Sequence, residues 1–278
     1  MGRIVWIASY PKSGNTWTRA FLHNLFRNPD TPFDINKMDT LSANEAALGN
    51  FTAVLEQPWQ EWTPDQVAAA RPKVQRQIAQ SRPYTVFCKT HLAVMNVRGH
   101  PTIDMGATAG AIYLVRNPLD IASSLMDHQG LPMPKIIEMM NMVNFETPTT
   151  DKMAGEPWGN WSQNVESWTG RANPALHVMR YEDMLADPLG AFTALVRFLK
   201  IDTTAQRIRK AVDHSSFKVL RRLEEQQGFW ERTVVQQNFF RKGLAGSWRD
   251  ELSEAEVHAI VVRHRAQMDR YGYVPAGY

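Results

Sequence analysis

Short apolar runs alternate with amphipathic stretches along much of the chain. The apolar runs show no regular polar alternation, which is typical of strands buried in a parallel sheet. We therefore predict strands at residues 3–9, 84–89, 111–115 and 176–181. Apolar residues at helical spacing predict helices at residues 16–27, 118–126, 188–199, 204–212, 217–225 and 253–271. This alternation predicts an α/β fold of three layers, with a central parallel sheet and helices on both faces.

Two segments do not follow this alternation. Residues 28–83 are loop-rich and then helical over about 64–80, and residues 127–170 are rich in methionine, tryptophan and proline. We expect both to be insertions that cover the carboxyl edge of the sheet, where open α/β sheets bind ligands. Because the chain contains no repeat, low-complexity tract or linker, we predict a single domain over residues 1–278.

The first predicted strand runs directly into the segment Tyr10-Pro-Lys-Ser-Gly-Asn-Thr-Trp17, which leads into the first predicted helix. Backbone N–H groups at a helix N-terminus carry partial positive charge and favour anions. Lys12, Ser13 and Thr16 add an ammonium group and two hydroxyls. The segment therefore predicts a site for a phosphate-like dianion, although it lacks the spacing and the upstream glycine of the ATPase loop.

Two further basic segments are candidate anion sites. In one, Arg116 follows a predicted strand, and Ser124 lies about two helical turns later. Arginine presents a planar fork that suits phosphate oxygens, but a surface arginine and a helix serine would give the same pattern. In the other, Arg241-Lys242-Gly243 can close over a phosphate. The alternative for this second segment is a solvated basic turn.

Lys89-Thr90-His91 stands at the expected carboxyl end of the second predicted strand. A neutral histidine there can act as a general base, because its ordinary pKa of about 6.5 lies near working pH. The chain has eight histidines, and His23, His128 and His214 are competing candidates. A histidine with a purely structural role is the usual alternative.

The composition limits the class of protein and its partners. Hydrophobic residues make up 44% of the chain and charged residues 21%, which is enough for a sizeable core. A net charge of +3 is too small to indicate nucleic acid as a partner, but it suits a small anionic ligand.

Because Cys88 is the single cysteine, the chain cannot form an intrachain disulfide, and we interpret Cys88 as a buried, unreactive thiol. Since no membrane span or signal peptide is recognisable, we predict a cytoplasmic protein.

Taken together, these segments resemble the signature segments of the soluble sulfotransferases. The resemblance covers the first loop, Lys89-Thr90-His91, the stretch from Arg116 to Ser124, Tyr181-Glu182-Asp183-Met184 and Arg241-Lys242-Gly243, in the order of that family. It implies a P-loop-like α/β fold that uses 3′-phosphoadenosine 5′-phosphosulfate (PAPS). It further implies transfer of a sulfuryl group to a hydroxyl or amine and release of adenosine 3′,5′-bisphosphate (PAP), without a metal.

The resemblance also implies roles for individual residues. Lys12 would lie near the bridging oxygen of the 5′-phosphosulfate, His91 would be the catalytic base and Lys89 a supporting cation. Arg116 and Ser124 would bind the 3′-phosphate, and Trp17 and Tyr181 would lie near the adenine. The full set of implied nucleotide contacts is Lys12, Ser13, Gly14, Asn15, Thr16, Trp17, Arg116, Ser124, Tyr181, Ser215, Phe217, Phe240, Arg241, Lys242 and Gly243.

The acceptor side is predicted only in outline. Tryptophans and methionines crowd residues 127–170, and Met139, Met142 and Phe145 have helical spacing. Such a stripe forms either core or an apolar pocket, and Trp158, Trp161 and Trp168 are open to the same two interpretations. We predict a small-molecule acceptor with a hydroxyl or amine on a largely apolar body, since methionine adapts to varied shapes.

Other functions and the oligomeric state stay open at this point. The family's C-terminal dimer motif is poorly matched at residues 249–258. An ATP-dependent small-molecule kinase should have a Walker loop and magnesium-binding carboxylates, whereas only Asp30 lies near the first loop. A nucleotide-binding protein without turnover would need no base at His91.

Overall fold

The computed structural model describes residues 2–278 and has a parallel sheet of five strands at its centre. These strands lie in the order β2-β3-β1-β6-β7. The strands of the chain are β1 (Ile4–Ser9), β2 (Ser42–Asn44), β3 (Val86–Thr90), β4 (Asn96–Val97), β5 (His100–Pro101), β6 (Thr108–Val115) and β7 (Leu176–Arg180). β4 and β5 form a separate antiparallel pair. In the central strand, Ile7 lies beside Lys89 of β3 and Ile112 of β6.

Helices cover both faces of this sheet, which confirms the predicted fold class. They are α1 (Asn15–Arg27), α2 (Leu48–Thr52), α3 (Pro64–Gln80), α4 (Pro118–Gln129), α5 (Met133–Asn141), α6 (Trp161–Thr169), α7 (Tyr181–Ala186), α8 (Pro188–Phe198), α9 (Ala205–His214), α10 (Phe217–Gln227) and α11 (Glu254–Tyr271). Seven of these helices and four of the five central strands are predicted from the sequence with ends within three residues.

The two-residue period of β1 divides the core into two layers. Ile4, Trp6 and Ala8 point into a hydrophobic cluster that includes apolar residues of α3, α6 and α11. Ile7 points into the opposite cluster, where Phe21 of α1 stacks on Phe192 of α8 at 4.1 Å. The central strand is therefore buried on both faces, which explains its uninterrupted apolar sequence.

Residues 28–83 build more of the fold than the sequence prediction of a covering insertion implies. They supply the edge strand β2, which pairs with β3 through Ala43 and Cys88. They also supply α3, whose Val67 and Val74 pack in the same cluster as Trp6. The sequence does not reveal β2, because its three residues, Ser-Ala-Asn, are poor strand formers.

Residues 127–170 differ in a second way from the prediction. The helix suggested by the spacing of Met139, Met142 and Phe145 ends at Asn141, so Met142 and Phe145 lie beyond it. Backbone hydrogen bonds from Trp158 and Gly159 to the Phe145 carbonyl instead hold this stretch as a folded-back loop. The helical spacing of these three residues therefore does not reflect one continuous helix.

Cys88 is fully buried as expected, and burial raises the pKa of its thiol well above the ordinary value.

Candidate functional site

A cleft of about 1300 Å³ opens at the carboxyl ends of β1, β3 and β6. It brings together almost every site residue predicted from the sequence. Those that line it are Lys12, Gly14, Asn15, Thr16, Trp17, Lys89, His91, Arg116, Ser124, Tyr181, Phe217, Phe240, Arg241, Lys242 and Gly243. Ser13 and Ser215 do not line it.

The first loop makes a tight turn between β1 and α1. Lys12 and Gly14 both have left-handed backbones, with φ of 67° and 102°. A Cβ on Gly14 would lie 3.1 Å from the ring of Tyr181, so glycine serves both the backbone conformation and the close approach of this ring. Arg116 Nη1 donates to the Lys12 carbonyl at 2.8 Å and secures the turn. The amide N–H groups of the first turn of α1 are thereby presented to the cleft.

The ammonium group of Lys12 is buried without a hydrogen-bond partner among residues 2–278. It lies 4.1 Å from the centre of the Phe239 ring. Burial, and secondarily the positive charge of Arg116, lowers the pKa of Lys12 to about 7. An anion brought to this group would relieve both effects, because it would restore a partner to a desolvated cation.

Two residues of the loop, Ser13 and Asn15, have buried side chains. Asn15 turns its amide back into the sheet and donates to the Ile7 carbonyl at 2.8 Å. Its side chain therefore joins the start of α1 to β1, and its backbone N–H is the group left for a ligand. Ser13 is fully buried, and its hydroxyl has no hydrogen-bond partner among the described residues.

Arg116 lies at the end of β6, as predicted, and is 9% exposed. Its guanidinium stands 4.4 Å from the centre of the Tyr181 ring and donates from Nη2 to the Leu244 carbonyl at 3.3 Å. Its Nε–H has no partner in the described part of the chain. Arg116 thus retains donors for an anion while it holds two loops in place.

The basic turn at Arg241 and Lys242 is already paired in the free protein. Arg241 donates to both carboxylate oxygens of Glu251 at 3.1 Å, and Lys242 bonds to the same carboxylate. Gly243 has a φ of 63°, and a Cβ there would collide with the Phe217 ring at 2.3 Å. The turn therefore holds Phe217 and Phe240 at the cleft, while Glu251 offsets part of its positive charge.

Ser215 is a correction to the predicted site. Its hydroxyl donates to the Ala211 carbonyl at 2.8 Å, and the side chain is fully buried at the end of α9. The hydroxyl bonds back to the carbonyl four residues earlier, which already accepts the Ser215 N–H at 3.1 Å, as serine side chains commonly do in helices. Sequence adjacency to Phe217 does not bring Ser215 into the cleft.

His91 lies just beyond β3 with its ring fixed by the backbone. Nδ1 lies 2.9 Å from the Ser9 carbonyl, which can only accept, so Nδ1 carries the proton and Nε2 presents its lone pair. Burial, and next the charge of Lys89, lowers the pKa of His91 to about 3. The imidazole is therefore neutral at working pH and able to receive a proton.

The other histidines considered from the sequence have different surroundings. His128 also lines the cleft, but its Nδ1 is bonded to Gln236 Oε1 at 2.8 Å. His23 is buried against the Met38 carbonyl, and His214 does not line the cleft. Of the three alternative candidates for the general base, His128 is thus the one that lies in the same cleft as His91.

Sequence reasoning missed several charged residues of the cleft, and Glu231 is the one that contacts predicted site residues. Its carboxylate accepts hydrogen bonds from Thr16 Oγ1 at 3.1 Å and from Arg19 Nη1 at 2.5 Å, and it lies 3.8 Å from Lys89 Nζ. Burial by itself would raise the pKa of Glu231. The positive charges of Lys89 and Arg19 outweigh burial and lower this pKa to about 2. No motif marks this position, because its partners lie more than 140 residues away in the chain.

The part of the cleft lined by residues 129–158 carries both apolar and polar side chains. Trp158 lines it and stands 6.1 Å from the His91 ring, measured between ring centres. Apolar side chains continue the wall at Met139, Met142, Phe145 and Met153. Trp161 and Trp168 instead lie in the core, where Trp168 donates to the Leu92 carbonyl. Of the three tryptophans, Trp158 alone is a cleft residue.

Within residues 2–278, no three histidine, cysteine, aspartate or glutamate side chains are grouped as a metal ion would require. Over the same range, no helix has the length and apolar character needed to cross a bilayer.

Comparison with known proteins points in one direction. The family model described as "Sulfotransferase domain" matches residues 3–272. Sulfotransferase 1E1 of Rattus norvegicus is 25% identical over 259 residues, which cover 90% of this chain and 78% of that protein. Retinol dehydratase in a complex with retinol and PAP is a structural neighbour with a TM-score of 0.64 and 20% identity, covering 95% of this chain and 81% of that one. Mouse sulfotransferase SULT7A1 complexed with PAP has a TM-score of 0.62 and 17% identity, covering 98% and 90%.

Proposed function

The chain belongs to the sulfotransferase domain family of PAPS-dependent enzymes, and from this premise we propose that it sulfates a hydroxyl group on a largely apolar small molecule, with His91 as general base. An amine is the second acceptor group compatible with this chemistry. We place the reaction in the cleft described above, within a single catalytic domain.

One observation carries the proposal: a buried, unpartnered ammonium and a neutral imidazole face the same cleft. Lys12 lies in the loop after β1, and His91 lies just after the neighbouring strand β3. Sulfuryl transfer needs a cation at the leaving oxygen and a proton acceptor at the attacking oxygen. The two groups are supplied by adjacent strands, so one ligand can reach both.

The nucleotide end suits a ligand with two anionic groups. The buried donors of the cleft lining that have no partner among the described residues include Lys12 Nζ, Trp17 Nε1 and Arg116 Nε. Such groups cost free energy unless a ligand or water satisfies them. We assign the loop after β1 to the 5′-phosphosulfate, and Arg116 with Ser124 to the 3′-phosphate. Trp17 and Tyr181, whose ring centres are 6.1 Å apart, would hold the adenine.

The chain's own residues would then act in two places. PAPS, when bound, supplies an activated phosphosulfate bond whose cleavage leaves negative charge on a phosphate oxygen. Lys12 stabilises that charge more strongly as it develops than before the reaction begins. His91 Nε2 receives the proton of the attacking hydroxyl, while the bond from Nδ1 to the Ser9 carbonyl keeps the ring oriented. Lys89, which lines the same cleft, adds a supporting positive charge.

The lining of residues 129–158, which we call the acceptor end, supports an acceptor with a hydrophobic body through its methionine and aromatic side chains. Met139, Met142 and Met153 have flexible side chains that can fit varied shapes. Two structural neighbours are retinol dehydratase complexes, one with retinol and one with androsterone, and both of these ligands are apolar alcohols. We therefore propose alcohols and phenols of that general character, placed with the hydroxyl toward His91.

The test is an acceptor panel with sulfur-labelled PAPS. Phenols, aliphatic alcohols and amines of increasing apolar size are offered to the full chain, and labelled product is measured. We expect product with hydroxyl acceptors and increasing kcat/KM with apolar size. Product with hydrophilic sugars alone would overturn the acceptor assignment. PAP binding without product from any acceptor would favour a nucleotide-binding protein that lacks turnover.

A further inference from the structure

The carboxylate of Glu231 stands among groups that the proposed function assigns to an anionic ligand and its reaction. It accepts a hydrogen bond from Thr16 Oγ1 at 3.1 Å and lies 3.8 Å from Lys89 Nζ. Its side chain is 8% exposed and lines the cleft. The two carboxylate oxygens of Glu231 thus already lie at the first turn of α1 and at the end of β3, where an anionic ligand would bind.

The hydrogen bond from Thr16 limits what this arrangement can do. A threonine hydroxyl has one proton to donate. While it donates to Glu231, it cannot also donate to a phosphate or sulfate oxygen. The same exclusion applies in weaker form to Lys89, whose charge is partly offset by the carboxylate. Glu231 and an anionic ligand therefore compete for the same donors.

Arg19 provides the reason that Glu231 is held there. Its guanidinium is fully buried and donates to Glu231, to Ser42 Oγ at 2.9 Å and to Asp39 Oδ1 at 3.0 Å. If Glu231 withdraws, Arg19 keeps Ser42 and Asp39 as partners. The buried cation would not be left alone, so release of Glu231 is physically feasible.

We propose that Glu231 sets the affinity of the nucleotide site, because its carboxylate takes the place of ligand oxygens at Thr16 and Lys89 until the nucleotide displaces it. This inference rests on the proposed function. It makes Glu231 an affinity-determining residue, distinct from the groups that act on the reacting atoms. Removal of Glu231 should strengthen nucleotide binding, whereas removal of one of the basic residues around it should weaken nucleotide binding.

Three variants and one ligand test this proposal by isothermal titration calorimetry with PAP. Glu231→Gln keeps the size of the side chain and removes the charge, and we expect PAP to bind roughly tenfold tighter than to the wild type, equivalent to about 1.4 kcal/mol. Glu231→Asp retracts the carboxylate from Thr16 and Lys89 while it can still pair with Arg19, so we expect a smaller gain. Glu138→Gln removes a carboxylate at the acceptor end that is paired with Lys135, and PAP affinity should not change.

The outcomes separate this inference from the function on which it rests. If the wild type binds PAP and both Glu231 variants bind it equally or more weakly, the displacement proposal is wrong. An equal gain in Glu138→Gln would show a general charge effect and would also overturn it. If the wild type does not bind PAP at all, the proposed function fails first and this inference falls with it. Should Glu231→Gln not fold, Glu231→Asp alone decides, since it retains the charge next to Arg19.

Discussion

The two ends of the cleft are built on different principles. At the nucleotide end, Gly14 and Gly243 are required by close ring contacts, and Arg116 is bonded to two loop carbonyls. At the acceptor end, the wall includes flexible methionines, some of them outside regular elements. The backbone of the first end is held in place before a ligand arrives, and there only the Glu231 side chain is proposed to move, while the second end can adapt. This difference suits a reaction in which the nucleotide, PAPS, is always the same while the acceptor can vary.

The junction between the two ends should be the most sensitive point. We expect His91→Ala to lower kcat by roughly 10²–10⁴-fold, because the attacking hydroxyl loses its base, while PAP affinity stays near that of the wild type. His128→Ala is the matched control, since His128 lines the same cleft but is bonded to Gln236. Steady-state kinetics and calorimetry on both variants check this. A His91→Ala enzyme with normal turnover would remove His91 from the mechanism.

Lys12 should show the next largest effect, at the fixed end. We expect Lys12→Met to lower kcat/KM by roughly 10²–10³-fold, because the charge on the leaving oxygen is no longer stabilised. PAP binding should weaken as well. Lys135→Met, which removes an exposed lysine at the acceptor end, should leave both quantities almost unchanged. Similar losses in the two variants would mean that the cleft uses only diffuse positive charge.

Arg116 separates the two anionic groups of the nucleotide. We expect Arg116→Ala to weaken PAP binding by roughly tenfold, about 1.4 kcal/mol. Adenosine 5′-phosphate, which lacks the 3′-phosphate, should lose much less affinity. Equal losses for both nucleotides would show that Arg116 acts by holding the Lys12 carbonyl and not by binding the 3′-phosphate.

The adaptable end should respond mildly and selectively. We expect Met139→Ala to raise KM by about tenfold for bulky apolar acceptors and little for small phenols, because the loss of even one methylene contact in an apolar pocket costs about 1–3 kcal/mol. PAP affinity should not change. The measurement is KM over a series of phenols of increasing size. A uniform fall in kcat over the whole series would indicate a structural role for Met139.

The smallest expected effect is a proton taken up at the fixed end. Because the pKa of Lys12 is lowered to about 7 in the free protein, the amine is mostly neutral at pH 8. A bound anion favours the charged form and raises this pKa, so PAP binding at pH 8 should take up most of a proton. Calorimetry in two buffers of different ionisation enthalpy measures this uptake. It should disappear in Lys12→Met, and PAP affinity in the wild type should fall as pH rises above 7.

The same division explains what the sequence can predict. The loop from Tyr10 to Trp17, Arg116 and His91 each follow directly on a buried strand, so local pattern and strand ends locate them. Parallel strands then bring these ends to one edge. The prediction needs no knowledge of long-range contacts. It fails at Ser215, where a helix end captures the hydroxyl, although the neighbouring Phe217 does reach the cleft.

The features missed by the sequence depend on contacts between distant segments. Glu231 lies opposite Thr16 and Lys89 only because the loop after α10 crosses the cleft. The short strand β2 exists because β3 offers it a partner, and Ser-Ala-Asn alone would not predict it. Trp158 and Trp161 are three positions apart and similar in sequence context, yet one lines the cleft and the other is core. Packing, not residue type, decides between these positions.

Transfer of the sulfuryl group to a hydroxyl oxygen beside His91 can be tested by isotope labelling. A phenol that carries ¹⁸O in its hydroxyl is incubated with PAPS and the enzyme, and the products are analysed by mass spectrometry. We expect the aryl sulfate to retain ¹⁸O in its bridging position and PAP to be unlabelled, because the acceptor oxygen attacks sulfur. Unlabelled inorganic sulfate with intact phenol, or no conversion of PAPS by any hydroxyl acceptor, would contradict the proposed reaction.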